Sequence, residues 1–256
     1  MVTSLLFTLL AMVVFMLAMF GVARTMKRYD FVDVCWGLVF SVGAVTSWLL
    51  SDKHGVGTVA TTLVLIWGLR LAWHIFQRVQ RTTEEDPRYV ELRKKWKGNE
   101  TYNILTRIFL TQAFLAFGVV LPVLLLNLTS NVSWTLWATV GVALWLVGFV
   151  FESVADRQLA GFVSNPANRG KIMSRGLWKY SRHPNYFGEL TQWWGLGVVG
   201  LSATYGLVGL AGPLLISYLI IFVSGLPPSE KRFAGRPGWA EYAKKTSALI
   251  PLPPKQ

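Results

Sequence analysis

The chain has 256 residues, 53% of them hydrophobic and 12 of them tryptophan, with a mean hydropathy of +0.43 and a formal net charge of +12 at pH 7. A soluble domain of this length could not bury so much apolar surface, so the class is an integral membrane protein, and the positive charge calls for no nucleic-acid partner. The single cysteine, Cys35, excludes an internal disulfide and a thiolate metal cluster, and no metal site is expected.

Taken in chain order, apolar runs of the ~20 residues that a bilayer requires fall at Val2–Ala23, Phe31–Leu50, Val56–Gln77, Ile108–Leu128, Trp134–Val154, Tyr186–Tyr205 and Leu207–Leu226. The expected fold is therefore all-α and polytopic, about seven transmembrane helices forming a single membrane domain over residues 1–256. Cytoplasmic loops are expected at about 78–107 and 155–185, and a cytoplasmic tail at about 227–256. Met1–Ala23 lacks a basic region ahead of its apolar run and a small-x-small cleavage site after it, so it reads as a retained first helix rather than a signal peptide.

Lysine and arginine near span ends stay on the cytoplasmic side. Here they crowd alternate connections: Arg24, Lys27 and Arg28, then Arg78 to Arg107, then Arg157 to Arg182, then Lys231 to Lys255. The intervening connections hold only Lys53. That pattern predicts an N-terminus outside and a C-terminus in the cytoplasm, in a membrane such as the bacterial inner membrane. Lipid headgroups account for part of the basic excess. A polyanionic small molecule is the second explanation.

Gly195-Leu196-Gly197-Val198-Val199-Gly200 matches the dinucleotide fingerprint G-x-G-x-x-G. The fingerprint works only between a strand and a helix, whereas these glycines lie inside a span, where close helix packing is the better reading.

Ionisable residues in or beside apolar spans carry more information, because hydrocarbon makes them costly unless they are paired or solvated. They are Asp33 in the second span, Arg70 and His74 in the third, Glu152 and Asp156 at the end of the fifth, and Glu189 in the sixth. Helical spacing groups them into faces. Arg70, His74, Gln77, Arg78 and Arg81 form one stripe, Glu152 and Asp156 a second, and Asn185, Glu189, Gln192 and Trp193 a third. A water-lined cavity open to the cytoplasm would unite the three. Each stripe also has a plainer explanation: Arg70 as a structural ion pair with Asp33 or Glu189, His74 as a satisfied core residue, His183 as a loop hydrogen-bonder.

Several motifs in fixed order complete the picture: Trp67-Gly68-Leu69-Arg70-Leu71-Ala72-Trp73-His74, Glu85-Asp86-Pro87-Arg88-Tyr89, Arg175-Gly176-Leu177-Trp178-Lys179-Tyr180, Arg182-His183-Pro184-Asn185-Tyr186-Phe187-Gly188-Glu189 and Thr246-Ser247-Ala248-Leu249-Ile250-Pro251. Through them the chain resembles the bacterial DUF1295 branch of the steroid 5-alpha-reductase-like and isoprenylcysteine carboxyl methyltransferase-like membrane enzymes, over nearly its whole length. The resemblance implies NADPH entering from the cytoplasm and a lipid-like substrate arriving through the bilayer. It implies cofactor contacts at His74, Arg81, Asp156, Lys171, Arg182, His183, Asn185, Tyr186 and Glu189, and a C-terminal tail closing over the nucleotide.

At the reacting end the pattern departs from the steroid-reducing members, which carry a Gln-Glu pair and a Tyr where this chain has Val32-Asp33 and Trp67. Indole donates a hydrogen bond but is no acid. The expected catalytic residues are thus Asp33, Trp67 and Arg70, with a protonated Asp33 holding the carbonyl of an enone while hydride is transferred to its double bond. The alternative is an S-adenosylmethionine-dependent methyltransferase, since Arg182 to Gly188 also fits the isoprenylcysteine carboxyl methyltransferase motif.

Overall fold

In hydrocarbon a backbone must satisfy its own hydrogen bonds, which favours helices. The computed structural model describes residues 1–53, 55–82 and 84–255. Its helices are α1 (Val2–Met26), α2 (Val32–Leu49), α3 (Gly55–Gln80), the short α4 (Pro87–Lys94), α5 (Glu100–Val119), α6 (Leu121–Asn127), α7 (Leu136–Ser164), α8 (Pro184–Gly200), α9 (Gly206–Phe233) and α10 (Trp239–Lys245). Among the described residues no strand forms, and one isolated bridge joins Ser181 to Ser247.

Six helices are long and apolar enough to cross a membrane: α1, α2 with its preceding turn from Tyr29, α3, α5, α7 and α9. The seventh expected span is α8, whose 17 residues reach ~25 Å at 1.5 Å per residue, short of a ~30 Å hydrocarbon core. The fourth span begins at Glu100 rather than Ile108, because Asn99 caps it by accepting from the Tyr102 N–H and a π-helical turn over Leu105–Leu110 carries the helix on. It then breaks ahead of Pro122, where α6 starts.

The chain forms two compact units. The first comprises Met1–Thr135 and Gly200–Ala211. In it α1 buries Thr8, Met12, Met16, Phe20 and Ala23 on one stripe while Leu6, Leu10, Val14 and Leu17 remain exposed, an apolar outer face suited to lipid. α2 and α3 cross at Gly37 and Gly68, where a Cβ on either glycine would collide with the other's carbonyl. Buried Asn127 ties α6 to both helices, its amide reaching the Ser47 and Thr61 hydroxyls at 2.9 and 3.0 Å.

The second unit comprises Leu136–Val199 and the chain from Gly212 onward. Here α7 and α8 run antiparallel through two glycine contacts seven residues apart on each helix, Gly141 against Gly195 and Gly148 against Gly188. Without side chains at these points the backbones approach closely. Gly195 thus has the packing role read for it from the sequence.

Candidate functional site

The charged end of the first unit begins with Asp33 in the first turn of α2. Its carboxylate accepts from Arg88 at 2.9 Å, from Arg78 at 3.2 Å and from the Tyr89 hydroxyl. Burial, with the Asp33 carboxylate beside it, pushes Tyr89 well above the usual phenol range, so the phenol keeps its proton and donates it to Asp33. The Glu85 to Tyr89 motif is consumed in building this cluster. Glu85 accepts from Arg93 and from the Tyr29 N–H. Asp86 caps α4 at the Arg88 N–H with Pro87 in its first turn. Arg28 pairs with Asp30 at 2.7 Å and donates to the Val79 and Thr82 carbonyls, closing the end of α3 onto the start of α2.

Asp33 accepts three hydrogen bonds, two of them from guanidinium groups. Trp67 is buried against Phe40, edge to face at 5.3 Å. Phe40 lies seven residues beyond Asp33, ~10 Å along the helix axis, so Asp33 and Trp67 occupy different levels and are not brought onto one oxygen. Arg78 and Arg88 are the cations that pair with Asp33, and Arg70 is half-buried on α3. His74 is half-buried on α3, and Arg81 is exposed just past its end.

The second unit gathers polar residues where α7 and α8 meet. Gly188 abuts the backbone of Glu152, which puts the Glu152–Asp156 face of α7 beside the Asn185–Glu189–Gln192 face of α8. Glu152, Asp156 and Gln192 are buried. The Gln192 amide donates to Glu152 and to the Gly188 carbonyl. Asn185 Oδ1, Gln192 Oε1 and, on α7, Ser153 Oγ are shielded from solvent without a hydrogen-bond partner. Such orphans are rare in native proteins and mark places where a ligand or water completes the bonding.

Arg182 and His183, expected at the nucleotide, are committed to the C-terminal tail. The Arg182 guanidinium grips Glu230 through Nε at 2.7 Å and Nη2 at 3.0 Å, and its Nη1 donates to the Ala243 and Thr246 carbonyls. Of the five N–H groups on a guanidinium, these four bonds leave one. His183 Nε2 lies 3.0 Å from the same Glu230 carboxylate, and its ring stacks on Tyr186 at 5.4 Å. The burial of His183 pulls it below its usual value, against the opposing hydrogen bond to the Glu230 carboxylate. Further ties are Arg182 N–H to the Ser247 carbonyl, the Ser181 hydroxyl to the Leu249 carbonyl, Leu252 N–H to the Tyr180 carbonyl and the Tyr242 hydroxyl to the Trp178 carbonyl. The motifs at 175–180 and 246–251 therefore serve one strap. Glu230 holds it, and sequence reasoning passed over it, attending to the cations that follow.

Beside the strap opens a cleft of about 550 Å³, lined among others by Lys171, Lys179, Glu241, Tyr242 and Lys245. Three lysines against one glutamate make its wall cationic. Lys171, a predicted cofactor contact, thus borders a concavity that could take an anion.

The model of the family described as "Protein of unknown function (DUF1295)" matches residues 19–246. The chain is 41% identical over 63 residues to 3-oxo-5-alpha-steroid 4-dehydrogenase 1 of Mus musculus and equally to that of Rattus norvegicus, in each case 24% of this chain and 24% of the relative. It is 29% identical over 114 residues to the Macaca fascicularis protein of the same name, 44% of this chain and 40% of the relative. The alignments thus cover between a quarter and two fifths of these curated relatives. No solved structure matches the chain.

Proposed function

We propose, from the premise that the chain belongs to the DUF1295 family, that it is an NADPH-dependent reductase in the membrane acting on a carbon–carbon double bond conjugated to a carbonyl in a lipid-like substrate. The observation that carries this reading is the orphaned acceptor Asn185 Oδ1 on a face shared with Glu189 and beside Glu152 and Asp156. A nicotinamide carboxamide offers the N–H that this oxygen lacks, and ribose hydroxyls suit the carboxylates. The relatives' names, all of them 3-oxo-steroid dehydrogenases, favour a hydride-transfer enzyme over a methyltransferase.

In this reading Asn185, Tyr186, Glu189 and Asp156 hold the nicotinamide nucleoside. Lys171, with Lys179 and Lys245 along its cleft, neutralises phosphate charge. Arg182 and His183 act indirectly, by fixing the strap. NADPH, when bound, supplies the hydride. Asp33, Trp67 and Arg70 are assigned to the substrate side, Trp67 as an apolar wall rather than a carbonyl donor. Asp33 orients the guanidinium groups of Arg78 and Arg88, and their remaining N–H groups are the available donors toward an enolate oxygen, the Tyr89 O–H being taken by Asp33.

The test is a binding titration of detergent-purified protein with NADPH and with S-adenosylmethionine, repeated on Asn185→Ala and Glu189→Ala, with thermal unfolding measured alongside. Saturable NADPH binding is expected to weaken in both variants at unchanged melting temperature, about tenfold or more for Glu189→Ala, whose charge-assisted bond contributes about 1.5–3 kcal/mol, and about two- to tenfold for Asn185→Ala, whose neutral bond contributes about 0.5–1.5 kcal/mol. Saturable S-adenosylmethionine binding with no response to NADPH would transfer the site to the methyltransferase reading.

A further inference from the structure

Four arginines around the ends of α3 and α4 are spent inside the protein. Arg28 binds Asp30, Arg78 and Arg88 bind Asp33, and Arg93 is held between Glu85 at 2.5 Å and Glu100 at 3.2 Å. Four neighbours differ. Lys94, Lys95, Lys97 and Arg107 are exposed, and among the described residues none of them has a carboxylate within ion-pairing distance. Glu91 and Glu100 are the acids of this segment, and Glu100 is already engaged by Arg93.

The four are also held in place. Arg93 clamps the end of α4 to Glu100 in the first turn of α5, and the Asn103 amide donates to the Lys97 carbonyl at 3.0 Å. Within the same segment the Arg107 guanidinium lies over the Trp96 ring at 5.6 Å, and Tyr102 and Leu92 are exposed. α5 is one of the membrane-crossing helices, with its apolar run starting at Ile108. Cations, an indole and a phenol packed just ahead of an apolar helix have the composition of the headgroup layer, where aromatic rings settle and cations meet phosphate.

We propose that Lys94, Lys95, Lys97 and Arg107, with Trp96, form a binding site for the phosphate headgroup of an anionic phospholipid at the entry of α5. Each exposed lysine facing an anionic leaflet contributes a modest Coulombic attraction, and the set selects charged lipid over zwitterionic lipid. Fixing the segment beforehand lowers the ordering cost of binding. The site is independent of the nucleotide reading and of any turnover.

The full-length protein, reconstituted in nanodiscs of equal parts phosphatidylglycerol and phosphatidylcholine, is re-extracted and its retained lipids are weighed by native mass spectrometry. The expected result is phosphatidylglycerol enriched over the bulk ratio on the wild-type protein, and a fall to the bulk ratio for Lys94→Gln/Lys95→Gln/Lys97→Gln, which leaves Arg107 and Trp96 packed. Thermal unfolding in mixed micelles gives a second readout, with phosphatidylglycerol raising the wild-type melting temperature and inorganic phosphate leaving it unchanged. Equal enrichment on the triple variant overturns the site. A melting shift reproduced by inorganic phosphate replaces the lipid with a free anion and overturns it too. If the triple variant does not fold, the wild-type enrichment is followed at rising salt, and enrichment that salt leaves untouched overturns the proposal.

Discussion

Single residues decide where this protein commits its charges. Glu230 receives Arg182 and His183 together while itself remaining 29% exposed on its side chain. Removing its carboxylate strands a guanidinium that is 12% exposed and loosens the strap at its anchor. Loss of a fully buried pair costs about 3–5 kcal/mol. Partial exposure reduces this, so Glu230→Gln is expected to destabilise the protein by ~1–3 kcal/mol, read as a lower melting temperature and faster proteolysis within the tail. His183 adds a pH signature. Its folded value lies below the usual 6.5 because burial disfavours the imidazolium, so the unfolded chain binds the proton more tightly. The associated stability is complete above pH 6.5 and drains away as pH falls through the folded value. Melting temperature should therefore decline on acidification below pH 6.5, and His183→Gln should flatten that decline. An equally steep fall in the variant would assign the slope to other groups. These pairings were invisible in the sequence for a simple reason. Arg182 and Glu230 lie 48 positions apart, and a long cationic side chain near a helix end fits a phosphate and a carboxylate equally well until the fold chooses.

At the scale of elements, sequence periodicity gave the correct faces. Asp156 with Glu152, and Asn185 with Glu189 and Gln192, do share sides of their helices, because a three-to-four residue spacing fixes that regardless of tertiary detail. Boundaries fared worse. The polar flank Glu100 to Arg107 concealed the first turns of α5, and hydropathy could not register the caps and the π turn that keep it helical. The α7–α8 crossing shows what else was latent: glycines seven apart on both helices read as a packing pair only once the helices are known to meet. A methyl on Gly148 would stand 2.6 Å from the Gly188 carbonyl oxygen and 2.7 Å from the Gln192 nitrogen, with backbone rather than flexible side chains in the way. Gly148→Ala should therefore push the helices apart, cost ~1–3 kcal/mol as overpacking does, and break the Gln192–Glu152 hydrogen bond. The control lies on the same helix. Gly161 has nothing within 4 Å of its would-be Cβ, so Gly161→Ala should be neutral or stabilising by up to ~1 kcal/mol through helix propensity. Equal melting temperatures for the two variants would refute close packing as the cause.

For the whole molecule, hydropathy identified a helical membrane protein without error in class, but the number of crossings turns on α8. Six crossings leave both termini on one side, and seven put them on opposite sides. The basic residues favour seven: with α8 crossing, every lysine- and arginine-rich connection falls in the cytoplasm and Lys53 alone falls outside. A 17-residue helix can still cross if the bilayer thins or its flanks carry residues to the interface, at fractions of a kcal/mol per Å of mismatch. Cysteine labelling decides between the counts, and the chain is suited to it because its single native thiol, Cys35, is buried. In intact cells a membrane-impermeant maleimide should label Asp52→Cys, Ser130→Cys and Thr204→Cys, and should reach Lys97→Cys and Lys255→Cys only after permeabilisation. Thr204 and Lys255 carry the decision, since they flank the last span. If α8 does not cross, their reactivities exchange and the basic tail lies on the opposite side from the segment before α8, an arrangement that the Arg182–Glu230 ion pair and the Arg182 N–H bond to the Ser247 carbonyl oppose.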